Sequence, residues 1–392
     1  MPIPNRIADF LPEMTAWRRD FHTHPELGFE ERRTSDIVAE KLASWGIEVH
    51  RGLGKTGLVG VLKGNGGEGG SIGLRADMDA LPMPEANGFE YRSQNPGAMH
   101  ACGHDGHTAM LLGAAKYLAE TRNFAGTVHF IFQPAEEGLA GAKAMIEDGL
   151  FDRFPCDAVY GIHNDPHMPL GTFRALPGVI LAASDTVEIV IRGKGGHGAL
   201  PHLSVDPLLV GVHVVSGLQS IVSRRTDPLG SAVVSITQFH AGSADNVIPD
   251  EAVLRGTVRT LLPEVRDAVE QAISDIATTT ARAHGAEAEV RYHRRYPPTV
   301  NHAAEAARAA DAAAEISGEA KVIREGLPIM GGEDFSFMLE KRPGAFLFVG
   351  QAEAGGKGSN PVHHPTYDFN DNLLPVGAGF FARVVERELA RK

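Results

Sequence analysis

The sequence predicts an α/β protein of two modules, with the second inserted into the first. Short β-rich runs alternate with helical stretches up to residue 183, and the pattern then changes to strand-helix-strand-strand-helix-strand over 184–296. Residues with catalytic chemistry resume after that change, and 392 residues are many for a single core. We therefore predict a catalytic domain in two parts, 1–183 and 297–392, and an inserted α+β, ferredoxin-like domain at 184–296.

The first part of the catalytic domain shows two kinds of apolar periodicity. Apolar residues recur every three or four positions where helices are expected, and compact β-rich runs lie between them. The predicted order is helices at 6–22 and 30–45, strands at 57–62 and 71–75, a helix at 104–120, a strand at 126–132, a helix at 140–150 and a strand at 157–162. This alternation predicts a mixed, largely parallel sheet flanked by helices.

The inserted module begins with a half-buried strand, since Asp185–Arg192 alternates between polar and apolar residues. The elements predicted after it are a helix at 206–224, strands at 231–239 and 252–260, a helix at 263–284 and a strand at 286–292. Residues suited to metal binding occur on both sides of this module. It is therefore an insertion and not a tail.

Composition narrows the classes of partner and compartment. The chain has 37 Lys and Arg against 49 Asp and Glu, a formal charge of −12, which argues against nucleic acid or an anionic membrane as partner. Two cysteines, Cys102 and Cys156, exclude a disulfide framework and indicate a reducing compartment. No run approaches the ~18 apolar residues of a membrane helix, and residues 1–10 show no secretory signal. We expect a cytoplasmic protein.

Potential metal ligands lie on short, turn-flanked segments spread along the chain. They are Cys102, His104, Glu137, His163 and His363. One thiolate, one carboxylate and three imidazoles suit borderline transition metals better than calcium or magnesium. This set is larger than the four ligands of a closed structural zinc site, so we predict two divalent ions with open positions, as Mn, Zn, Co or Ni.

A single glycine separates Cys102 from His104, so a tight turn can direct both side chains at one point. A cysteine by itself is usually a small buried hydrophobe, but flanking histidines favour a metal-bound thiolate, which can bridge two ions. Whether Cys102 bridges stays open at this stage. His107 lies one helical turn after His104 and could share its face as a further ligand. Helix packing or support of a ligand explains His107 equally well.

Glu136 and Glu137 follow a predicted strand. Adjacent residues leave a strand in opposite directions, so one can bind metal while the other acts as general base on a metal-bound water. His163 and His363 are weak signals individually, because a single histidine at a strand end is more often structural. In the doublet of His363 and His364 only one need bind.

The inserted module carries three candidate functional residues. His197 lies in a glycine-rich loop, where a histidine has no packing role and could polarise a carbonyl or stabilise an oxyanion. Asn246 and Arg259 could hold a substrate carboxylate. A turn cap and a solvated strand face explain these two residues about equally well.

Together these segments resemble the M20 metallopeptidase and aminoacylase family, in particular the branch with hippurate hydrolases, N-acyl-amino-acid amidohydrolases and plant auxin-conjugate hydrolases. The matching stretches are Phe21–Leu27, Arg75–Pro82, Met99–His107, Phe132–Gly138, Gly195–His202, Met330–Ser336 and His363–Asn370. They occur in order along nearly the whole chain. One departure is Gly198, where many relatives have alanine.

The resemblance implies a role for each candidate residue. The metal ligands would be Cys102, His104, Glu137, His163 and His363, and the general base Glu136. His363 is preferred to His364 because the family pattern is His-x-Pro. His197 would reach the active site of a partner subunit across a dimer interface formed by the inserted lid domain. The substrate-binding residues would be Asn246, Arg259, Gly331 and Gly332, and the assembly a homodimer or homotetramer.

The predicted function is hydrolysis of the amide bond of N-acyl amino acids, such as hippurate or N-acetyl amino acids, by a two-metal amidohydrolase. A dipeptidase or carboxypeptidase, or an N-acetyl-diaminopimelate deacetylase, would use the same site. Two rivals remain: a cysteine hydrolase with Cys102 as nucleophile, and a non-enzymatic module that binds a peptide-like ligand. The roles of His107, His202 and His364 stay open.

Overall fold

The computed structural model describes residues 5–228 and 230–391, which form two compact units. As far as the structure describes them, the first comprises Met1–Gly178, Val300–Leu327 and Asp334–Lys392, and the second Val179–Thr299 and Pro328–Glu333. The predicted domain boundaries at 184 and 296 fall inside the second unit. Its short second segment was not predicted from the sequence. That segment joins the unit through hydrogen bonds from Ile329 to Ile180 and from Ala182 to Gly331.

The strands and helices follow in chain order. The strands are β1 Glu48–Leu53, β2 Gly57–Lys63, β3 Ser71–Asp77, β4 Thr127–Gln133, β5 Ala158–Pro169, β6 Phe173–Arg174, β7 Gly178–Leu181, β8 Ala183–Arg192, β9 Gly196–His197, β10 Ala232–Ala241, β11 Val247–Ile248, β12 Glu251–Thr260, β13 Glu287–Tyr296, β14 Thr299–Asn301, β15 Val322–Ile323 and β16 Gly344–Ala352. The helices are α1 Asn5–Asp9, α2 Leu11–Thr23, α3 Arg32–Ser44, α4 His104–Thr121, α5 Glu136–Leu139, α6 Gly141–Glu147, α7 Leu150–Arg153, α8 Pro207–Ser220, α9 Pro263–Ala283, α10 Ala303–Ser317, α11 Ser336–Leu339 and α12 Leu374–Glu388.

The first unit is built on an eight-stranded mixed sheet of order β1-β2-β4-β3-β5-β16-β6-β15. The central strands β4, β3, β5 and β16 run parallel, so their carboxyl ends meet at one edge. Helices α2, α4, α10 and α12 pack on one face and share a continuous apolar core with the sheet. The predicted α/β architecture is confirmed.

Two predicted elements of the first unit differ in extent. The helix expected at 6–22 is broken into α1 and α2, because Pro12 near the start of α2 has no backbone N–H with which to continue a helix. Strand β5 continues to Pro169, so His163 lies within the strand and not beyond its end.

The second unit has the order β8-α8-β10-β12-α9-β13, with the strands arranged β10-β12-β8-β13 in an antiparallel sheet. This is the strand arrangement of a ferredoxin-like module. Helices α8 and α9 cover one face over a separate apolar core that includes Val187, Leu254 and Ile273. Within residues 5–228 and 230–391, no helix has both the length and the apolar character to cross a membrane.

Candidate metal centre

The candidate metal ligands of the first unit gather where the parallel strands reach their common edge. Asp77 ends β3, Gln133 ends β4 just before Glu136 and Glu137, and His163 lies in β5 beside them. Open α/β sheets bind ligands at this edge, because loops leaving parallel strands converge there.

The turn that carries Cys102 depends on a glycine. Gly103 has a φ of +98°, and a Cβ there would lie 2.3 Å from Asn164 Oδ1 and 2.6 Å from the Tyr367 hydroxyl. No other residue fits, since both the conformation and the space exclude a side chain. The turn ends at His104, the first residue of α4, so both side chains point to the strand edge.

Two of the groups of donor atoms at this edge share Cys102. The donor atoms of Cys102, His104 and His163 lie within 4.8 Å of one another, as do those of Cys102, Glu137 and His363. The Cys102 Sγ is 3.3 Å from His163 Nε2, and His363 Nε2 is 3.2 Å from Glu137 Oε1. Ligands of one tetrahedral ion lie roughly 3.5 Å apart, so these spacings suit two ions that share the thiolate.

Hydrogen bonds select the nitrogen that each buried histidine presents. His104 Nδ1 lies 2.9 Å from the carbonyl oxygen of Asp79, and His163 Nδ1 lies 2.7 Å from that of Asn164. A carbonyl can only accept, so each Nδ1 carries the proton and each Nε2 keeps its lone pair. Both Nε2 atoms face Cys102 or its neighbours. This is the tautomer that a metal ligand needs.

Two buried polar atoms at this edge are unsatisfied by protein groups. Among the described residues His104 Nε2 has no hydrogen-bond partner, and Glu137 Oε1 has only the 3.2 Å contact with His363 Nε2, which lacks hydrogen-bond geometry. Leaving such atoms buried and unpaired costs about 1–3 kcal/mol each. Burial also raises the pKa of the Cys102 thiol and lowers that of His163 well below its usual value. A neutral imidazole is the ligating form, and a bound cation would reverse the effect on the thiol, so these residues fit a divalent metal.

The paired glutamates leave the strand in different directions. Ala135 adopts a φ of +55°, unusual for a residue other than glycine, and Glu137 departs from helical geometry within α5. Glu136 is 7% exposed, and its Oε1 accepts a hydrogen bond of 3.4 Å from the backbone of Asp334. His104, Glu136 and Glu137 form a further group of donors within 4.8 Å. Glu136 is thus beside the ligand groups but outside the two that share Cys102.

His107 lies behind the ligands. Its Nδ1 is 2.6 Å from Asp77 Oδ1, and the backbone N–H of Asn164 donates to its Nε2 at 3.2 Å. Asn164 also supplies the carbonyl that orients His163. The hydrogen bonds from Asp77 through His107 to Asn164 therefore support the candidate ligand His163. Of the roles left open for His107, the structure favours support of a ligand.

Asp79 connects two candidate ligands from distant parts of the chain. Its Oδ2 accepts from the backbone N–H of Glu137 at 2.9 Å, and its Oδ1 lies 3.2 Å from His104 Nδ1. Sequence reasoning missed this residue. The available signal was the pair of acidic residues Asp77 and Asp79 at the end of a buried strand, where an unpaired carboxylate would be costly.

A buried arginine beneath the edge was also missed. Arg75 donates from Nη1 to Asp77, from Nε to Gln133 at 2.8 Å and from Nη2 to Asp334 at 3.1 Å. Asp334 in turn accepts from the backbone of Ala142 at 2.9 Å. Asp334 is fully buried and serves this network.

The structure brings His363, and not His364, to Glu137 and Cys102. His363 has a φ of +63°, which turns its ring away from that of its neighbour. His364 Nδ1 accepts from the backbone N–H of Thr366 at 3.2 Å and remains exposed.

The second unit holds the other predicted site residues on its surface. His197 pairs with Val247, and its Nδ1 accepts from the Ala199 backbone at 3.1 Å, so the neutral ring carries its proton on the exposed Nε2. Asn246 is exposed, and its carbonyl accepts from Gly198. His202 is exposed too.

Arg259 and the glycine pair have partners inside the second unit. The Arg259 guanidinium donates to Thr257 and to the Val258 carbonyl at 3.0 Å, and burial lowers its pKa. A Cβ on Gly332 would lie 2.8 Å from that of Ser184, so close packing explains this glycine. The Gly331 carbonyl accepts from Ala182. Their predicted contacts with substrate stay predictions.

The chain is similar to known proteins in sequence and in structure. Residues 73–387 match the family described as Peptidase family M20/M25/M40. Hippurate hydrolase from Campylobacter jejuni is 43% identical over 385 residues, 98% of each chain. Thermostable carboxypeptidase 2 from Saccharolobus solfataricus is 38% identical over 387 residues, 96% of this chain and 97% of that one. The crystal structure of the Bacillus subtilis YXEP protein, described as a dinuclear metal binding peptidase from the M20 family, aligns with a TM-score of 0.84 at 36% identity and covers 98% of this chain and 100% of that one.

Proposed function

Because the chain belongs to Peptidase family M20/M25/M40, we propose that its reaction takes place at the donor set around Cys102, with Glu136 as general base. The protein is a two-metal amidohydrolase that cleaves the amide bond of N-acyl amino acids. The products are a carboxylate and a free amino acid.

Cys102, His104 and His163 would hold one ion, and Cys102, Glu137 and His363 the other. When bound, such ions lower the pKa of a water molecule and polarise the scissile carbonyl. Mn, Zn, Co and Ni are all compatible with this donor set, and the thiolate favours the softer members of that group. Asp79 and Asn164 keep the two buried histidine rings in the tautomer described above.

Glu136 moves the proton. Its carboxylate takes a proton from the attacking water as oxygen bonds to the carbonyl carbon, and returns it to the amine nitrogen when the carbon–nitrogen bond breaks. Glu136 is suited to this role because it adjoins the ligand Glu137 and is held from behind by the Asp334 backbone. The burial of Glu136 also limits competition from solvent.

His197 would donate its Nε2–H to the oxyanion of the tetrahedral intermediate, from a second copy of the chain in a homodimer or homotetramer. Its exposure and tautomer support this role. Asn246, Arg259 and the Gly331–Gly332 loop would bind the α-carboxylate of the substrate.

One observation carries the proposal. Cys102 is common to two groups of metal-compatible donors, and the carboxylate of Glu136, which belongs to neither group, lies beside them. A structural zinc site needs neither a shared thiolate nor an adjacent base.

The test is hydrolysis by metal-stripped protein before and after addition of manganese or zinc. The substrates are hippurate, N-acetylmethionine, N-acetylphenylalanine and a free dipeptide, and Glu136→Gln is the matched variant. We expect metal-dependent release of the free amino acid, reduced roughly 10²- to 10⁴-fold in the variant. Turnover by the stripped protein that chelators leave unchanged would contradict the proposal and favour a thiol nucleophile at Cys102.

A carboxypeptidase is the second candidate, because one relative with 38% identity carries that name. The two activities differ in what lies on the acyl side of the scissile bond. Comparison of hippurate with hippuryl-phenylalanine separates them. Faster cleavage of the peptide bond before phenylalanine would favour the carboxypeptidase.

A further inference from the structure

An arginine of the first unit lies on the same face of the sheet as a candidate metal ligand. In the register of the sheet, His163 of β5 pairs with Phe348 of β16, and Phe348 pairs with Arg174 of β6. Residues paired across neighbouring strands point to the same face. Two strand spacings put the backbone of Arg174 about 10 Å from that of His163.

The aromatic ring of Phe348 lies between these two side chains. Its centre is 6.0 Å from that of the His163 ring and 4.7 Å from the guanidinium carbon of Arg174. Phe173, the residue before Arg174, packs against Phe380 on the opposite face of the sheet. The alternation of β6 therefore directs Arg174 to the face that carries His163.

The guanidinium of Arg174 has no charged partner among residues 5–228 and 230–391. Within those residues it forms no hydrogen bond or ion pair, and it lies over the ring of Phe348. It is partly exposed. A stacked guanidinium keeps all of its N–H donors, and its planar fork matches a carboxylate in two parallel hydrogen bonds.

We propose that Arg174 is a specificity residue that binds a second carboxylate of the substrate, in addition to the α-carboxylate. This inference rests on the proposed function, since it requires the scissile amide to lie at the Cys102 donor set. The side-chain carboxylate of an N-acylated aspartate or glutamate lies roughly 5–7 Å from the scissile carbonyl. A hydrogen bond of about 3 Å from the carboxylate to the guanidinium extends this reach to about the 10 Å that separates Arg174 from His163. An acyl group that ends in a carboxylate presents the same chemistry.

The test uses pairs of substrates that differ in one charge. N-acetylglutamate against N-acetylglutamine tests the amino-acid side chain, and N-succinylglycine against N-butyrylglycine tests the acyl group. Arg174→Met removes the charge but keeps an apolar stem on Phe348. Arg342→Met is the matched control, because Arg342 stacks on Phe151 at 5.0 Å before the start of β16, away from the carboxyl edge.

We expect Arg174→Met to raise KM for the acidic member of one pair roughly 10- to 100-fold, with kcat within about twofold. The neutral members should change by no more than about twofold, and Arg342→Met should affect neither. The pair that responds identifies the carboxylate that Arg174 binds. An unchanged ratio of kcat/KM between acidic and neutral members in both pairs overturns the proposal.

Failure of the proposed function gives a different result. Hydrolysis of the neutral members tests that function without Arg174. Calorimetric binding of N-acetylglutamate and of N-succinylglycine to metal-loaded Glu136→Ala protein tests Arg174 without turnover. Binding of either ligand that weakens roughly tenfold or more with Arg174→Met supports the carboxylate site even if no substrate is cleaved. Binding of both ligands that is absent, or the same in both proteins, overturns it.

Discussion

The candidate residues of the two units differ in how their own unit holds them. In the first unit, His104 and His163 are hydrogen-bonded through one ring nitrogen, and Asp79 and Asp77 are fully or almost fully buried behind them. In the second unit, His197 and Asn246 are exposed on a short two-stranded ribbon. The first arrangement exists before any ligand arrives. The second provides donors without a preformed partner.

This difference separates metal binding from substrate chemistry. Side chains whose rotamers are fixed by buried hydrogen bonds can bind an ion with little loss of entropy, whereas an exposed histidine is ordered only when it contacts a ligand. Variants of the candidate ligands and of their buried supporting residues in the first unit should therefore change metal content, whereas a variant of His197 in the second should change turnover alone.

The largest effect is expected for Cys102→Ala. The thiolate is common to both donor groups, so its loss should remove both ions and reduce activity below detection. His363→Ala should remove only the ion held with Glu137. Metal analysis of the purified proteins after dialysis measures this difference. Full metal content in Cys102→Ala, with activity lost, would point instead to a thiol nucleophile.

His197→Ala should leave metal content unchanged and lower kcat roughly 10²- to 10³-fold, as expected for loss of one oxyanion donor. His202→Ala is the control, because His202 is exposed in the same unit. Mixing His197→Ala with Glu136→Ala chains adds a second test. Recovery of activity in the mixture would show that His197 acts on the site of another copy, and no recovery would contradict the assignment to a partner subunit.

Asp79→Asn should weaken metal binding roughly 10- to 100-fold, because Asp79 supports both His104 and the Glu137 backbone. Competition with a chromophoric chelator measures the affinity. Asp148→Asn is the matched control. Asp148 also accepts a hydrogen bond from a backbone N–H of this unit, that of Gly54, but it belongs to none of the ligand groups. Equal affinity in the two variants would remove Asp79 from the support of the centre.

The smallest effect on the reaction is expected for His22, whose contribution is to the stability of the fold. Burial alone would lower the pKa of His22, but the hydrogen-bonded carboxylates Asp105 and Glu85 raise it to about 9. The folded pKa is above the ordinary value of 6.5, so the stabilisation is present in full below pH 6.5 and is lost as the pH rises through 9. It amounts to about 1–3 kcal/mol.

The measurement is the free energy of unfolding of metal-stripped protein at pH 6.5 and 9.5. We expect His22→Asn to flatten the fall seen in the wild-type protein. His24→Asn, in the same segment but partly exposed, should retain it. A wild-type fall that His22→Asn leaves intact would assign the pH dependence to other groups.

Much of the fold followed from local patterns. Before residue 297, apolar periodicity located the longer helices and many of the strands, because burial of one face imposes a repeat that neighbouring residues carry. It predicted no element in 297–392, where α10, β16 and α12 lie. It did not predict the break at Pro12 or the full length of β5. Nor did it predict that Pro328–Glu333 joins the second unit, because that depends on hydrogen bonds to Ile180 and Ala182, far away in sequence.

The sequence by itself determined which residue types could form the metal centre, since thiolate, imidazole and carboxylate donors flanked by glycine and proline carry that chemistry locally. The family resemblance already favoured His363 over His364. Only the tertiary structure decided that His363 lies beside Glu137, that His107 supports Asn164, and that Arg75 anchors Asp334. Each of these depends on a partner from a distant segment. Hydrogen bonds require donor and acceptor about 3 Å apart, and that distance is set by the packing of the sheet and not by spacing along the chain.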